Sequence, residues 1–186
     1  MEKVSVKDLM VPLEEYATVS EEATLFEAVM ALEKAHEELD RSRFKYLHRA
    51  ILVLDENNKV VGKISQLDAL RALEPKYVEM GDTGAISRAG FSPQFLKSMM
   101  KRYSIFGGTL RDICAKAAKV KVKNFMYTPG EGEYIEENVH LGEAIHQLVM
   151  GRHQSLLVTR DEQIVGILRL TDVFVHVFQE MRACEI

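Results

Sequence analysis

Val6-Lys7-Asp8-Leu9-Met10 recurs as Val122-Lys123-Asn124-Phe125-Met126, 116 residues further along the chain. The same offset carries Val19-Ser20-Glu21-Glu22 onto Ile135-Glu136-Glu137-Asn138, and Leu25, Glu27, Ala28 and Val29 onto Leu141, Glu143, Ala144 and Ile145. Further on the offset falls to 104, laying Val60-Val61-Gly62 on Ile164-Val165-Gly166 and Asp68 on Asp172. The drop of twelve puts twelve extra residues in the first copy, within 33–48. The chain is an internal repeat, and each local reading follows from that.

Thr24-Leu25-Phe26-Glu27 has the Ser/Thr-x-x-Glu form of a capping box and opens a helix, with Leu25, Ala28, Val29 and Leu32 at helical spacing. The extra residues at 33–48 are expected to extend that helix outward. Ile51–Leu54 and Val60–Ile64 read as strands around an Asp55-Glu56-Asn57-Asn58-Lys59 turn, and a helix begins near Leu67. The second copy gives a helix from about Leu141, strands at Leu156–Thr159 and Ile164–Leu168, and a helix from Thr171. The order is strand–helix–strand–strand–helix, twice. A unit of about 55 residues buries too little surface to stand alone, so the copies should pack as a pair.

Between the copies lies an insertion. Ser92-Pro93 sets an N-cap before a proline at the first helical position, and Thr109-Leu110-Arg111-Asp112 caps another helix after Gly107-Gly108. The division is 1–74 for the first repeat, 75–119 for a basic helical insertion and 120–186 for the second repeat. Net charge is −4, but residues 75–123 carry a local +7 and the remainder −11. The basic segment fits a solvated face beside an acidic body, or a docking patch for an acidic partner. It lacks the interleaved aromatics of a nucleic-acid reader, which leaves that role as an alternative.

Hydrophobic residues make up 47% of the chain and charged ones 28%, as in a soluble globular protein. No apolar run approaches the ~20 residues that span a bilayer, and Met1–Ser5 opens no secretory signal, so a cytoplasmic protein is expected. Cys114 and Cys184 have no metal-type spacing; idle thiols or a disulfide both fit. His36, His140, His146 and His176 form no ligand set, and no metal is expected. Neither a P-loop, a Gly-x-Gly-x-x-Gly run nor a Ser/His/Asp arrangement is present, so no catalytic residue is assigned.

The most informative residues follow the second strand of each copy. Gly62-Lys63-Ile64-Ser65-Gln66-Leu67-Asp68 gives Gly, Ser and Asp at positions one, four and seven; Gly166-Ile167-Leu168-Arg169-Leu170-Thr171-Asp172 gives Gly, Arg and Asp. Here the sequence resembles the CBS domain family, whose repeats end in a Gly-x-x-Ser/Thr-x-x-Asp turn. The Val-Lys-Asp-Leu-Met opening and the Leu-x-Glu-Ala helix start match it too. The resemblance covers about 4–73 and 120–178. It implies an α/β (α+β) fold of two pseudo-twofold-related repeats, a Bateman module, with AMP, ADP or ATP held in clefts between them. It also implies a homodimer and, with no effector domain attached, an unidentified effector protein.

The resemblance further assigns Asp68 and Asp172 to ribose hydroxyls, a role acidic residues play in dinucleotide folds, and Ser65 to phosphate. Both aspartates equally suit plain helix capping. Arg169 replaces the family's Ser/Thr and either binds phosphate or fills the pocket itself. His48-Arg49 and Arg152-His153, ahead of the central strands, match a His-Arg pair that contacts phosphate in nucleotide-sensing relatives; solvated residues at a strand start are the alternative. Thr18-Val19 and Tyr134-Ile135 match the positions that wrap adenine, with Tyr134 either stacking on the base or joining the core. A dimerisation scaffold with degenerate pockets remains a rival reading, for which Arg169 speaks.

Overall fold

The computed structural model describes residues 4–79 and 90–184. The first repeat runs α1 (Val6–Leu9), β1 (Val11–Pro12), β2 (Thr18–Ser20), α2 (Leu25–Glu38), β3 (Ala50–Leu54), β4 (Val60–Ser65) and α3 (Gln66–Ala72). The insertion contributes α4 (Lys76–Glu79), α5 (Pro93–Arg102) and α6 (Leu110–Ala117). The second repeat runs β5 (Tyr134–Glu136), α7 (Leu141–Gly151), β6 (Ser155–Arg160), β7 (Gln163–Arg169) and α8 (Leu170–Ala183). The twofold strand–helix–strand–strand–helix order is as read from the sequence. Both predicted caps of the insertion form: Ser92 Oγ accepts from Phe95 N at 3.1 Å, and Thr109 Oγ1 from Asp112 N at 3.2 Å.

Each repeat supplies a sheet in which its first strand runs parallel to the second and the second pairs antiparallel with the third, giving β2-β3-β4 and β5-β6-β7. The central strands are buried on both faces, which is why Ile51-Leu52-Val53 and Leu156-Leu157-Val158 read as continuous apolar runs. Ile51, Val53 and Ile64 turn toward the helices of the first repeat, and Leu156, Val158 and Leu168 toward those of the second. Leu52, Leu157 and Ile167 point the other way and meet between the sheets, with Val11 and Tyr16.

The segments leading into the repeats are exchanged. β1 pairs antiparallel with β7 of the other repeat, Val11 opposite Ile167, and Tyr127 forms the corresponding bridge to Lys63 on β4. Val6 and Met10 lie in the core of the second repeat, while Val122 lies in the core of the first with Phe125 and Met126 against it. The backbone bonds follow the same symmetry: Val6 N to Val139 O at 3.0 Å answers Val122 N to Ala23 O at 2.8 Å. Each repeat is completed by its partner's leading segment, so neither has a whole core alone.

One expectation is corrected. α2 is only three residues longer than its counterpart α7, 14 against 11, and ends at Glu38. The rest of the extra stretch turns back as a loop, tied by Asp40 Oδ1 accepting from Ser42 N at 2.9 Å, and buries Leu39, Phe44 and His48 against the body. Asp40-Arg41-Ser42 competes for its own backbone here, the local preference that ends helices. Cys114 and Cys184 are free and exposed, so no disulfide links them. Among the described residues, no helix is long and apolar enough to cross a membrane.

The two glycines that correspond in the repeat, Gly62 and Gly166, make room for the exchange. A Cβ at Gly166 would lie 2.5 Å from the Val11 carbonyl oxygen, and one at Gly62 would lie 2.6 Å from Met126 Sδ. Backbone cannot yield as a thioether can. Gly166→Ala should therefore cost more stability than Gly62→Ala, roughly 1–3 kcal/mol against less than that, measured as the shift in urea midpoint of the two variants.

Candidate functional site

The exchange sets the end of each repeat's third strand beside the leading segment of the other repeat, which defines two pseudo-equivalent sites, the first cleft at Ser65 and Asp68 and the second at Arg169 and Asp172. Their contents differ.

In the first cleft, Ser65 caps α3. Its Oγ accepts from Asp68 N at 3.2 Å, and Asp68 Oδ2 accepts from Ser65 N at 2.9 Å and from Ser65 Oγ–H at 2.6 Å. The capping reading of Asp68 is thus realised, yet it occupies only one carboxylate oxygen. Among the described residues, the cation nearest to Oδ1 is Arg71 Nη1 at 4.0 Å, on an exposed side chain. Arg49 is exposed beside the start of α3, its carbonyl accepting from Gln66 N at 3.3 Å.

The cleft's other wall comes from the second repeat's leading segment. Lys63, on the same face of β4 as Ser65, is paired with Glu133, and Glu133 Oε1 accepts from Tyr127 Oη–H at 2.6 Å. Burial alone would raise the Glu133 carboxyl. The bonds from Lys63 and Tyr127 and the charge of Lys63 outweigh that and hold it below the ordinary range. The Tyr127 phenol is pushed up by its bond to Glu133, by burial, and by the charges of Glu133 and Asp68. Both carboxylates therefore bear on one hydroxyl, which puts Asp68 and Glu133 in one electrostatic environment.

The second cleft holds an arginine. Arg169 is 4% exposed. Its Nε donates to Asp172 Oδ2, its Nη2 to Asp172 Oδ1 at 2.7 Å, and its Nη1 to the Tyr46 carbonyl at 3.1 Å and to His48 Nδ1 at 3.0 Å. The guanidinium also lies 5.1 Å from the centre of the Phe44 ring. Both oxygens of Asp172 are bonded to this buried guanidinium. A groove of about 360 Å³ has Asp8, Phe44, Asp172 and His176 in its wall.

His48 is fully buried, edge-on to Tyr16 at 4.3 Å between ring centres, and its carbonyl bonds His36 Nε2 at 2.8 Å. The structure therefore splits the His48-Arg49 pair, sending the imidazole inward to Arg169 and leaving the arginine outside. In the second copy Arg152 is an exposed left-handed helix cap at φ 54°, and His153 folds over Gly151. Thr18 lies opposite Leu52 and Tyr134 opposite Leu157, with Tyr134 packed against the cluster between the sheets. Val19 and Ile135 instead face the cores of their own repeats.

Sequence reasoning missed Phe44, Tyr46, Lys63, Tyr127 and Glu133. Lys63 alone left a signal, a charge inside the apolar run Val60–Ile64 and matched to Ile167 in the other copy. A cavity of about 530 Å³ lies away from both clefts, between the end of α3 and the insertion, walled by Leu73, Lys76, Ile113 and Lys116. Among the described residues, no group of three or more His, Cys, Asp or Glu could hold a metal ion.

Residues 6–75 match the family model described as CBS domain. That stretch therefore matches a CBS domain, and the fold of the chain is that of solved CBS-pair structures. A CBS domain-containing protein from Bacillus anthracis is 18% identical, with 95% of this chain and 94% of that chain covered and a TM-score of 0.61. CBSX2, a CBS-pair protein from Arabidopsis thaliana, is 17% identical over 96% of both chains, TM-score 0.58, and has also been solved in complex with AMP. The chain spans 60% of protein MJ1004 from Methanocaldococcus jannaschii, at 19% identity, 95% coverage of this chain and a TM-score of 0.56. No curated protein matches it.

Burial, then the Arg169 guanidinium and His36, pushes the His48 imidazole down from 6.5 to about 4, against a smaller pull from the Glu15 backbone. Between those values the unfolded chain binds a proton that the folded chain does not. Stability is therefore full above pH 6.5 and falls as pH drops toward 4, by about 3 kcal/mol from this group. His48→Gln should flatten that part of the profile when urea unfolding is compared at pH 7 and 4.5; an equal slope in both proteins would assign the acid sensitivity to the carboxylates.

Proposed function

We propose that the chain is a non-catalytic cytoplasmic regulatory module that binds one adenine nucleotide, AMP, ADP or ATP, in the first cleft and signals to a partner protein. The observation that carries this reading is the inequality of the aspartates. Among the described residues no hydrogen bond reaches Asp68 Oδ1, which could accept from a ribose hydroxyl, whereas Asp172 has both oxygens engaged by buried Arg169. The AMP complex of CBSX2 supports an adenine nucleotide as the ligand class. In this reading half-buried Tyr134 would contact the base, and Ser65 with the exposed Arg49 and Arg152 would contact the phosphate.

The listening partner is proposed to be acidic. α5 buries none of its residues and carries Lys97, Lys101 and Arg102. The scaffold reading has the engaged carboxylate of Asp172 in its favour, and the nucleotide titration separates the two. Ligand at ~100 times its dissociation constant adds about 2.7 kcal/mol to the folded state. Wild type should melt higher with at least one of AMP, ADP and ATP. Asp68→Ala should lose most of that ligand-induced rise, beyond the ~1 kcal/mol its missing cap costs without ligand. A wild type unmoved by all three nucleotides would establish the scaffold reading.

The module is also proposed to be a homodimer through its helices. Phe26 and Met30 on α2, Leu67 and Leu70 on α3, Met150 on α7 and Phe174 on α8 are large apolar side chains left exposed in the single chain. Sedimentation should give a dimer for wild type and a folded monomer for Leu70→Lys/Phe174→Lys; a monomeric wild type would remove this part of the reading.

A further inference from the structure

The internal repeat supplies its own control for the first cleft. At the positions that hold Lys63, Glu133 and Tyr127, the other copy holds Ile167, Ala17 and Val11, all buried and apolar. The same scaffold is therefore completed in one place by hydrocarbon and in the other by an ion pair whose side chains are only 15% and 6% exposed. Burying such a pair costs desolvation that its attraction offsets only in part, and apolar replacement is often neutral or stabilising. Folding does not require Lys63 and Glu133. Lys63 shares a face of β4 with Ser65, whose hydroxyl bonds Asp68 at 2.6 Å, and the Asp68 charge is felt at the Tyr127 hydroxyl bonded to Glu133.

We propose that Lys63 is a specificity-determining residue that exchanges Glu133 for a phosphate of the bound nucleotide, an inference that rests on nucleotide binding in the first cleft. With its tie to Glu133 intact, Lys63 is neutralised, and the cations this cleft offers a phosphate are the exposed Arg49 and Arg152. A neutral nucleoside gains nothing from a further cation beside them, whereas a phosphate does. The ammonium, on a flexible stem with three donors, turns from the carboxylate to the phosphate. Glu133 keeps its bonds from Tyr127 Oη–H and from Gly130 N–H, the latter at 3.3 Å, so its charge is not stranded when Lys63 leaves. The pair thus sets the preference for nucleotide over nucleoside, while Asp68 reads the ribose common to both.

The test is calorimetric titration of adenosine and AMP into wild type, Lys63→Met, Glu133→Gln and the double variant Lys63→Ile/Glu133→Ala, which installs the residues of the other copy. Lys63→Met should weaken AMP at least tenfold and leave adenosine within about twofold. Glu133→Gln, which frees the ammonium, should tighten AMP several-fold with adenosine unchanged. The double variant should melt no lower than wild type and lose at least tenfold in AMP affinity with adenosine within about twofold, and it carries the test if Lys63→Met fails to fold. Equal loss of AMP and adenosine in Lys63→Met, or a preference for AMP over adenosine as large in the double variant as in wild type, would overturn this assignment alone. Wild type that binds neither adenosine nor AMP, ADP and ATP would overturn the nucleotide reading and this assignment with it.

Discussion

The pairing of β1 with β7, mirrored by Tyr127 against Lys63, is the constraint from which the rest of this structure follows. It welds two units that could not fold separately, because the residues that finish each core belong to the other's sequence. It also holds the two sheets face to face, so that Leu52, Leu157 and Ile167 meet while the strand ends beyond them are left as clefts. Gly62 and Gly166 are where that contact is closest. At sequence level these glycines look like part of a ligand turn; in the fold they make room for the crossing segment, and the turn that follows inherits its position from them.

Because both clefts come from one scaffold, their differences isolate chemistry from fold. The second cleft has a guanidinium in its centre, satisfied on every side by Asp172, Tyr46 and His48. Bidentate pairing to a carboxylate is the strongest contact arginine makes, and a ligand would have to break it inside a buried site. The loop of extra residues in the first copy belongs to this arrangement, since Phe44, Tyr46 and His48 all come from it. Insertion and substitution act together: the twelve residues and Arg169 build this network at one site, and the first cleft, with the shorter α7 turn opposite it, has neither.

How far the sequence disclosed this depends on the range of each interaction. The elements were legible because their causes are local: Thr24 and Glu27 cap α2, Ser65 and Asp68 cap α3, and the apolar runs mark the central strands. The repeat with its two offsets disclosed the pairing of the copies. The loop after Glu38 was misread as helix because helical spacing fades gradually there, while burial of Phe44 and His48 is decided by a partner 121 residues away. The candidate site was half legible. Asp68, Ser65 and Asp172 stand out in the repeated turn, and so does the anomaly of Arg169. Which wall faces which turn was not legible, because exchange of the leading segments sets Glu133 and Tyr127 of one copy beside Lys63 and Asp68 of the other.

That crossed construction gives a ligand its leverage. In the proposed reading a nucleotide in the first cleft would touch β4 and α3 of one repeat and the leading segment and β5 of the other, so its affinity would depend on their relative position. It could shift the balance between two arrangements only by the difference in its affinity for them. α3 would carry that shift outward: its last residues, Ala72 and Leu73, pack with Ala117 of α6, and Glu74 accepts from Phe106 N at 2.9 Å. The basic insertion is thereby coupled directly to the helix that Asp68 caps, which makes it the part of the molecule best placed to report the ligand.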